Sequence, residues 1–115
     1  MPSPPLERLR KRSEYLNVAK TGERYVTPAF IIQIYRRSPE GPLRYGITAS
    51  RKVGGAVERN RAKRRLRALL KHVLSPVDHP GLDYVFIARE EILRRNFALM
   101  RQELEKGLMR LSKGG

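Results

Sequence analysis

The sequence of 115 residues has no cysteine and no tryptophan, and only 11 acidic residues stand against 25 lysines and arginines. Without cysteine the chain can form no disulfide and no cysteine-based zinc site, which fits a reducing compartment. No apolar run approaches the ~18 residues of a membrane span. The first residues, Met-Pro-Ser-Pro-Pro, lack the apolar segment of a secretory signal. We therefore expect a cytoplasmic protein with no membrane partner.

The remaining composition is that of a folded protein. Hydrophobic residues make up 40% of the chain, which is too many for a disordered polycation. The length suits one domain with a modest core. We expect a single domain over residues 1–115, with flexible ends at 1–5 and 113–115.

Hydrophobic periodicity divides the chain into short elements. Ser13 is the expected N-cap of the first helix, and Gly22 is its expected end. The two strands that follow are expected to pair as a hairpin. The elements in chain order are a helix at Glu14–Thr21, strands at Thr27–Arg36 and Leu43–Ser50, a basic helix ending at Val73, an apolar strand at Asp83–Ala88 and a helix at Asn96–Leu111. This α-β-β-α-β-α order predicts an α+β fold with one mixed sheet.

The basic helix dominates the charge distribution. Between Arg51 and Lys71 there are nine basic residues and one acid, a local excess of +8 within a total of +14. Apolar residues recur at a helical spacing and predict one buried stripe: Ala62, Leu66, Leu69, Leu70 and Val73. The opposite side carries Asn60, Arg61, Arg64, Arg67 and Lys71, while Arg59 and Lys63 lie beside the stripe. One side of the helix therefore packs, and the other is cationic.

A cationic face without acids is unusual for a solvated helix, because solvated faces normally mix charges three and four residues apart. A polyanionic partner would offset the repulsion, and nucleic acid fits because phosphates dominate such affinity. An acidic membrane is a weaker alternative, since the stripe has no Trp or Phe to enter lipid.

The predicted strands have unlike faces. Phe30, Ile32 and Ile34 form an apolar face for the core. The polar face, formed by Gln33, Gly46, Thr48 and Ser50, is a poor core and suits the floor of a shallow groove. Tyr15 on the first helix is either a core aromatic or a platform on which a nucleobase stacks.

No convincing catalytic set is present. The only histidines are His72 and His79, and the pair of His79 with Asp78 matches no standard ligand spacing. Ser50 has no base placed near it that would activate a nucleophile. The acids are too scattered for a metal-dependent nuclease. We therefore expect no catalytic residue and no metal site in the protein.

The basic stretch resembles the signature of the bacterial ribonuclease P protein component, the small subunit of the ribonucleoprotein that processes tRNA. The matching residues are Arg51-Lys52-x-Gly54-x-Ala56-Val57-x-Arg59-Asn60-Arg61-x-Lys63-Arg64-x-x-Arg67. The length and uneven spacing of this run make a chance match improbable. The resemblance extends more loosely over residues 6–112.

The resemblance implies a division of labour. In that family the RNA subunit, with bound Mg²⁺, removes the 5′ leader of precursor tRNA, and the protein binds this RNA and the leader. The implied RNA-binding residues are Arg51, Lys52, Arg59, Asn60, Arg61, Lys63, Arg64 and Arg67. The implied leader cleft contains Tyr15, Gln33, Gly46, Thr48 and Ser50. The resemblance also implies a left-handed crossover at the basic helix, and no protein partner is evident.

The sequence departs from the family at two cleft positions. Ala19 stands where relatives often carry a second aromatic residue, and Gln33 stands where a Tyr is frequent. Two other classes remain open. A ribosomal RNA-binding protein would share the charge and size but would not stimulate tRNA processing. A DNA-binding protein would place the basic helix in a major groove, although Asn60 is its only typical amide base reader.

Overall fold

The computed structural model describes residues 7–20, 22–37, 41, 43–74 and 81–113. Its elements are β1 (Glu7–Arg8), α1 (Arg12–Lys20), β2 (Arg24–Val26), β3 (Phe30–Arg36), β4 (Arg44–Ala49), α2 (Ala56–Val73), β5 (Leu82–Ala88) and α3 (Phe97–Lys113). Two 3₁₀ turns, Arg51–Val53 and Glu90–Leu93, follow β4 and β5. Of the ends predicted to be flexible, residues 1–5 and 114–115 lie outside the described residues, whereas Lys113 belongs to α3.

One sheet contains all five strands in the order β1-β4-β5-β3-β2. β4 is parallel to β1 and β5, whereas β3 is antiparallel to β5 and β2. The predicted α+β class with one mixed sheet is therefore confirmed. The connection from β4 through α2 to β5 is a parallel crossover, and its left hand remains a prediction.

The predicted hairpin is wrong, because β5 lies between β3 and β4. Phe86 pairs with Ile32 of β3 on one side and with Ile47 of β4 on the other. Tyr84 and Phe86 are fully buried, and Val85 is buried on the opposite face. A strand that is apolar on both faces is best covered at the centre of a sheet, where both of its edges are also hydrogen-bonded.

The edge strands β1 and β2 have no counterpart in the sequence prediction. Between β2 and β3 the chain bends at Pro28, so residues 27–36 do not form one strand. The Thr27 hydroxyl holds this bend: it donates to the carbonyl of Phe30 at 2.8 Å and accepts from the Phe30 N–H at 3.0 Å. This local side-chain bonding competes with the regular strand pattern.

The start of α1 also differs from the prediction, which placed Ser13 at the N-cap. The helix begins at Arg12, so Ser13 lies inside its first turn. Glu14 satisfies the free backbone donors instead, since its Oε1 accepts from the N–H groups of Arg10 and Lys11, each at 2.8 Å. A glutamate at the third helical position that reaches back in this way is one half of a capping box.

The main core lies between the sheet and the two longer helices. Phe30, Ile32 and Ile34 are fully buried, which confirms the predicted apolar face. The predicted stripe of α2 is confirmed as well, with four members buried and Val73 half-buried: Ala62, Leu66, Leu69, Leu70. In α3, Gly107 allows close contact with the sheet, because a β-carbon there would lie 2.7 Å from the ring of Tyr25. Helix α1 packs through Val18 on the other face.

Candidate nucleic-acid interface

The outward face of α2 carries polar groups that the rest of the described chain leaves unengaged. Asn60, Arg61, Arg64 and Lys71 are exposed. Their side chains make no hydrogen bond or ion pair with any described residue. Because no carboxylate neutralises these charges, the helix presents a positive potential to its surroundings.

One flank of α2 consists of Arg59, Lys63 and Arg67, which are half-buried. The Nε atoms of Arg59 and Arg67 are covered, yet neither has a hydrogen-bond partner in the part of the chain that the structure describes. A covered donor on a charged group costs free energy unless an acceptor reaches it. Both guanidinium groups therefore retain hydrogen-bonding capacity that this chain does not use.

The opposite flank of α2 is anchored by Arg65, a residue absent from the predicted site. Its Nη1 donates to the carbonyl of Leu93 at 3.2 Å, and its Nη2 donates to the carbonyl of Arg95 at 2.9 Å. These carbonyls lie in the segment that joins β5 to α3. On a helical projection Arg65 falls beside the apolar stripe, and this position is the signal that separates it from the outward arginines. Arg65 fixes the helix and does not extend its free cationic face.

The neck between β4 and α2 exposes Arg51 and Lys52. The hydroxyl of Ser50 accepts from the Lys52 N–H at 3.3 Å at the start of the 3₁₀ turn. A pocket of about 240 Å³ unites Ser50 and Lys52 with Pro28, Arg89 and the acidic 3₁₀ turn after β5. The structure thus places Lys52, but not Arg51, at a small hollow that carries both cationic and acidic side chains.

Arg89 is a candidate site residue that the sequence analysis did not include. Ala49 and Ala88 are paired at the ends of two parallel strands, so Ser50 and Arg89 emerge side by side. Arg89 is exposed, and its Nη1 donates to the carbonyl of Thr27 at 2.8 Å. Arg89 can be identified once β4 is known to pair with β5. The sequence analysis paired β4 with β3 instead and therefore did not place Arg89 beside Ser50.

The predicted cleft residues lie on the sheet face that carries α1, opposite the face covered by α2. Tyr15 is half-buried, and its hydroxyl donates to the carbonyl of Leu9 at 3.4 Å. Its ring lies directly on Gly46, where a β-carbon would approach Cε1 and Oη to 2.5 Å. Gly46 therefore supports the aromatic ring and offers no open floor. Thr48 and Ser50 are half-exposed beyond it.

Gln33 is separated from the other cleft residues by the packing of α1. In the sheet, Val85 pairs with Gln33 on one side and with Gly46 on the other. Val18 of α1 packs on Val85, in a cluster that also includes Tyr15. Gln33 instead lines a separate hollow of about 270 Å³ beside Val18 and the end of α1. The structure brings Tyr15 and Gly46 together but places Gln33 beyond the buried Val85.

An ionic network holds α1 against the sheet. Asp83, which is only 1% exposed, accepts from Arg44 through both carboxylate oxygens, at 2.9 and 2.6 Å, and also pairs with Arg37. Arg44 reaches Glu14 through its remaining terminal nitrogen. Hydrogen bonds from the backbone of Lys11 and Arg10, aided by the charge of Arg44, hold the pKa of Glu14 below its ordinary value. The hydrogen bond to Asp83 raises the pKa of Arg44.

The described residues contain no group of three histidine or acidic side chains that could hold a metal ion. His72 is exposed on α2, and its ring meets that of Phe97 edge-on at 6.1 Å. Asp78 and His79, the other residues considered for metal binding, lie outside the described residues. None of the described helices is long and apolar enough to cross a membrane.

Comparisons with known proteins agree on one family. The family model Ribonuclease P matches residues 4–112. The ribonuclease P protein component of Paramagnetospirillum magneticum is 41% identical over 92% of this chain and 83% of its own, and that of Gluconacetobacter diazotrophicus is 39% identical over 88% and 87%. The ribonuclease P protein of Thermotoga maritima superposes with a TM-score of 0.69 at 31% identity, covering 95% of this chain and 98% of its own. That of Staphylococcus aureus gives 0.72 at 26% identity, over 92% and 94%. The chain belongs to the ribonuclease P protein family.

Proposed function

We propose that this protein binds the catalytic RNA of ribonuclease P through α2 and holds the 5′ leader of precursor tRNA on the opposite face of the sheet. The holoenzyme then removes the leader endonucleolytically and leaves the mature 5′ end of the tRNA. The RNA subunit performs the chemistry, and the protein acts in the cytoplasm as its binding partner.

The observation that carries this proposal is the contrast between two groups of arginines. Arg37, Arg44 and Arg95 are paired with carboxylates inside the fold. On the outward face of α2, by contrast, Arg61 and Arg64 have no partner among the described residues. Guanidinium groups bind phosphates well because their planar donors match the phosphate oxygens. A row of unpartnered arginines on a firmly packed helix therefore suits a phosphate backbone.

The opposite sheet face supports the leader-binding half of the proposal. Tyr15 is half-buried with its ring packed on Gly46, so it is an aromatic side chain held in place on this face and can offer a nucleobase a stacking partner. Such stacking contributes about 1–3 kcal/mol per base and tolerates any sequence. Arg51, Lys52 and Arg89 lie where this face meets the neck, and they supply charge for the leader phosphates.

A protein with cationic groups on both faces of one sheet reduces the repulsion between two polyanions. The leader and the catalytic RNA both carry a dense negative charge, and neutralising phosphates releases the counterions condensed around them. The rigid sheet then sets the distance between the two bound RNAs. We assign the Mg²⁺ of the reaction to the RNA subunit, because the described side chains provide no cluster of hard oxygen ligands for it.

Reconstitution tests the proposal. The purified protein is combined with a bacterial ribonuclease P RNA and a 5′-leader precursor tRNA at low, near-physiological Mg²⁺, and each component is also assayed alone. We expect the combination to cut at the mature 5′ end and the protein alone to be inactive. Binding of RNA without any stimulation of cleavage would instead support a structural RNA-binding role, and the ribonuclease P function would be rejected.

A further inference from the structure

A groove of about 840 Å³ lies at the corner where β1 leads into α1, next to Tyr15, whose hydroxyl donates to the carbonyl of the lining residue Leu9. It is lined by Glu7, Arg8, Leu9, Arg10, Lys11, Glu14 and Arg44. Leu9 is buried, so the groove offers no exposed apolar side chain for a hydrophobic ligand. Its accessible side chains are charged, and most of them are cationic.

Some of the charged side chains in this groove form ion pairs within the protein, and others do not. Arg44 is bound to Asp83 and Glu14, and these groups compensate one another. The side chains of Arg8, Arg10 and Lys11 are exposed and make no hydrogen bond or ion pair with the residues that the structure describes. Three cations without a hydrogen-bonded or ion-paired partner among the described residues therefore share the groove with Glu7, whose charge acts on Arg44. The groove therefore has an excess of positive charge that is not neutralised by ion pairs with the described residues.

The groove does not bind an anion through the amide groups of the helix end. The carboxylate of Glu14 already accepts from the N–H groups of Arg10 and Lys11. An incoming phosphate would have to displace a carboxylate that Arg44 also holds. Binding must rely on the three long side chains, which suit a chain of several phosphates better than one isolated anion.

The position of the groove relates it to α2. β1 is the edge strand beside β4, and the guanidinium carbon of Arg8 lies 5.9 Å from the ring centroid of Tyr45. Tyr45 packs against the core on the α2 side of the sheet. α2 packs on β4 and β5, and β4 is the neighbour of β1 in the sheet. The cationic helix and the groove therefore lie towards the same edge of the sheet.

We propose that the groove lined by Arg8, Arg10 and Lys11 is a second binding site for the phosphodiester backbone of RNA, which passes round the β1 edge of the sheet. The proposal rests on the function proposed above and extends it beyond α2 and the leader cleft. The ligand chemistry is a run of phosphates, which either the catalytic RNA or the precursor tRNA can supply.

The test uses the full chain with Arg8, Arg10 and Lys11 all replaced by Gln. A matched control removes the same charge from α3, which packs on β2 and β3 towards the other edge of the sheet, by replacing the exposed Arg101, Lys106 and Arg110 with Gln. A double variant, Arg10→Gln with Lys11→Gln, leaves the contact of Arg8 with Tyr45 intact. Thermal unfolding of each variant establishes that the fold is retained.

Two binding measurements distinguish the source of the phosphates. The first is the affinity of the protein for ribonuclease P RNA as a function of salt, and the second is the affinity of the reconstituted ribonucleoprotein for precursor tRNA. We expect the groove variant to lose at least tenfold in one of these two affinities. The slope of log K against log salt for that affinity should flatten by about 2, since each lost phosphate contact reduces the slope by ~0.7–0.9. A loss in the first measurement identifies the catalytic RNA, and a loss in the second alone identifies the precursor.

The inference is overturned if the groove variant behaves like the α3 control in both measurements. That result leaves the proposed function intact as long as the wild-type protein stimulates cleavage. A further variant with Arg8→Lys, Arg10→Lys and Lys11→Arg keeps every charge, and we expect it to retain the wild-type affinity and salt slope. Loss of affinity in this charge-conserving variant would exclude a site built from non-specific phosphate contacts.

Discussion

The ring of Tyr15 rests on the backbone of Gly46, so closely that a β-carbon at position 46 would lie 2.5 Å from both Cε1 and Oη of the tyrosine. Gly46 is in the middle of β4, where glycine is normally unfavourable because it has no side chain to pack. Here the missing side chain makes room for an aromatic ring from another element. The orientation of Tyr15 therefore depends on the absence of a single carbon atom in the sheet.

We expect Gly46→Ala to lower the free energy of unfolding by about 1–3 kcal/mol, because the added methyl group overpacks the contact with Tyr15. Chemical denaturation measures this loss. In a background that carries Tyr15→Ala, the same Gly46→Ala change should cost less, since no ring remains to be displaced. Equal costs in the two backgrounds would show that the two residues are not coupled.

Tyr15→Ala should weaken the binding of leader-bearing precursor tRNA more than that of mature tRNA. The expected loss for the precursor is about 1–3 kcal/mol, the free energy of stacking one base on an aromatic ring. Tyr15→Phe is the matched control, and it should bind like the wild-type protein because it keeps the ring. Equal losses for both RNAs would remove Tyr15 from the leader cleft.

Replacing Arg61 and Arg64 by Ala should weaken the binding of ribonuclease P RNA and flatten its dependence on salt. The slope of log K against log salt should fall by about 1.4–1.8 if each arginine neutralises one phosphate. Both residues are exposed, and no contact with the described residues is lost, so thermal stability should hardly change. An unchanged salt slope would show that this face of α2 does not contact RNA.

Arg65→Ala should lower stability and leave RNA binding unchanged, the opposite of what we expect for the Arg61 and Arg64 replacements. It removes two hydrogen bonds from a charged donor to backbone carbonyls, so the free energy of unfolding should fall by about 2 kcal/mol. The salt slope of RNA binding should stay that of the wild-type protein, because Arg65 is turned towards the carbonyls of Leu93 and Arg95. Arg65→Lys should not restore stability, since a single ammonium group cannot reproduce the two-pronged contact. A flattened slope for Arg65→Ala would place this residue among the RNA contacts.

The pKa of Glu14 links the docking of α1 to pH. Because this pKa is lowered in the folded protein, the unfolded chain binds the proton at a higher pH than the folded chain. The stabilisation by Glu14 is thus complete above the ordinary glutamate pKa of about 4.3 and is lost as the pH falls through the lowered value. Denaturation at a series of pH values should show Glu14→Gln to be less stable than the wild-type protein at pH 7, with the difference shrinking below pH 4. Glu105→Gln, at an exposed pair, is the control and should show little difference at either pH.

The features that sequence predicts well are those recorded in local periodicity. The stripe of Ala62, Leu66, Leu69 and Leu70 and the alternation of Phe30, Ile32 and Ile34 each state which face of one element is buried. The same pattern predicts the exposed residues Asn60, Arg61, Arg64 and Lys71 on the outward face of α2, whereas Arg67, also predicted there, is half-buried on the flank. The family signature adds the identity of the partner, which periodicity alone leaves open.

The features that the sequence does not predict are those that depend on contacts between residues far apart in the chain. The order of the strands depends on the position of β5 in the sheet, between β4 and β3. The sequences of β3 and β4 do not show that another strand lies between them. Asp83 reads as one polar residue in an apolar strand until Arg37 and Arg44 are seen beside it. β1 and β2 contain two and three residues, which is too few for any alternation to be recognised.

The central position of β5 also affects when the sheet can form during synthesis of the chain. β5 begins at Leu82, later in the chain than every other strand and later than α2. Until it emerges from the ribosome, the described strands β3 and β4 have no common neighbour, and the apolar stripe of α2 has only part of its packing surface. The nascent chain therefore displays its most cationic helix before the sheet can close. We therefore expect the packing surface of this cationic helix to be completed only after the seven-residue strand β5 has been synthesised.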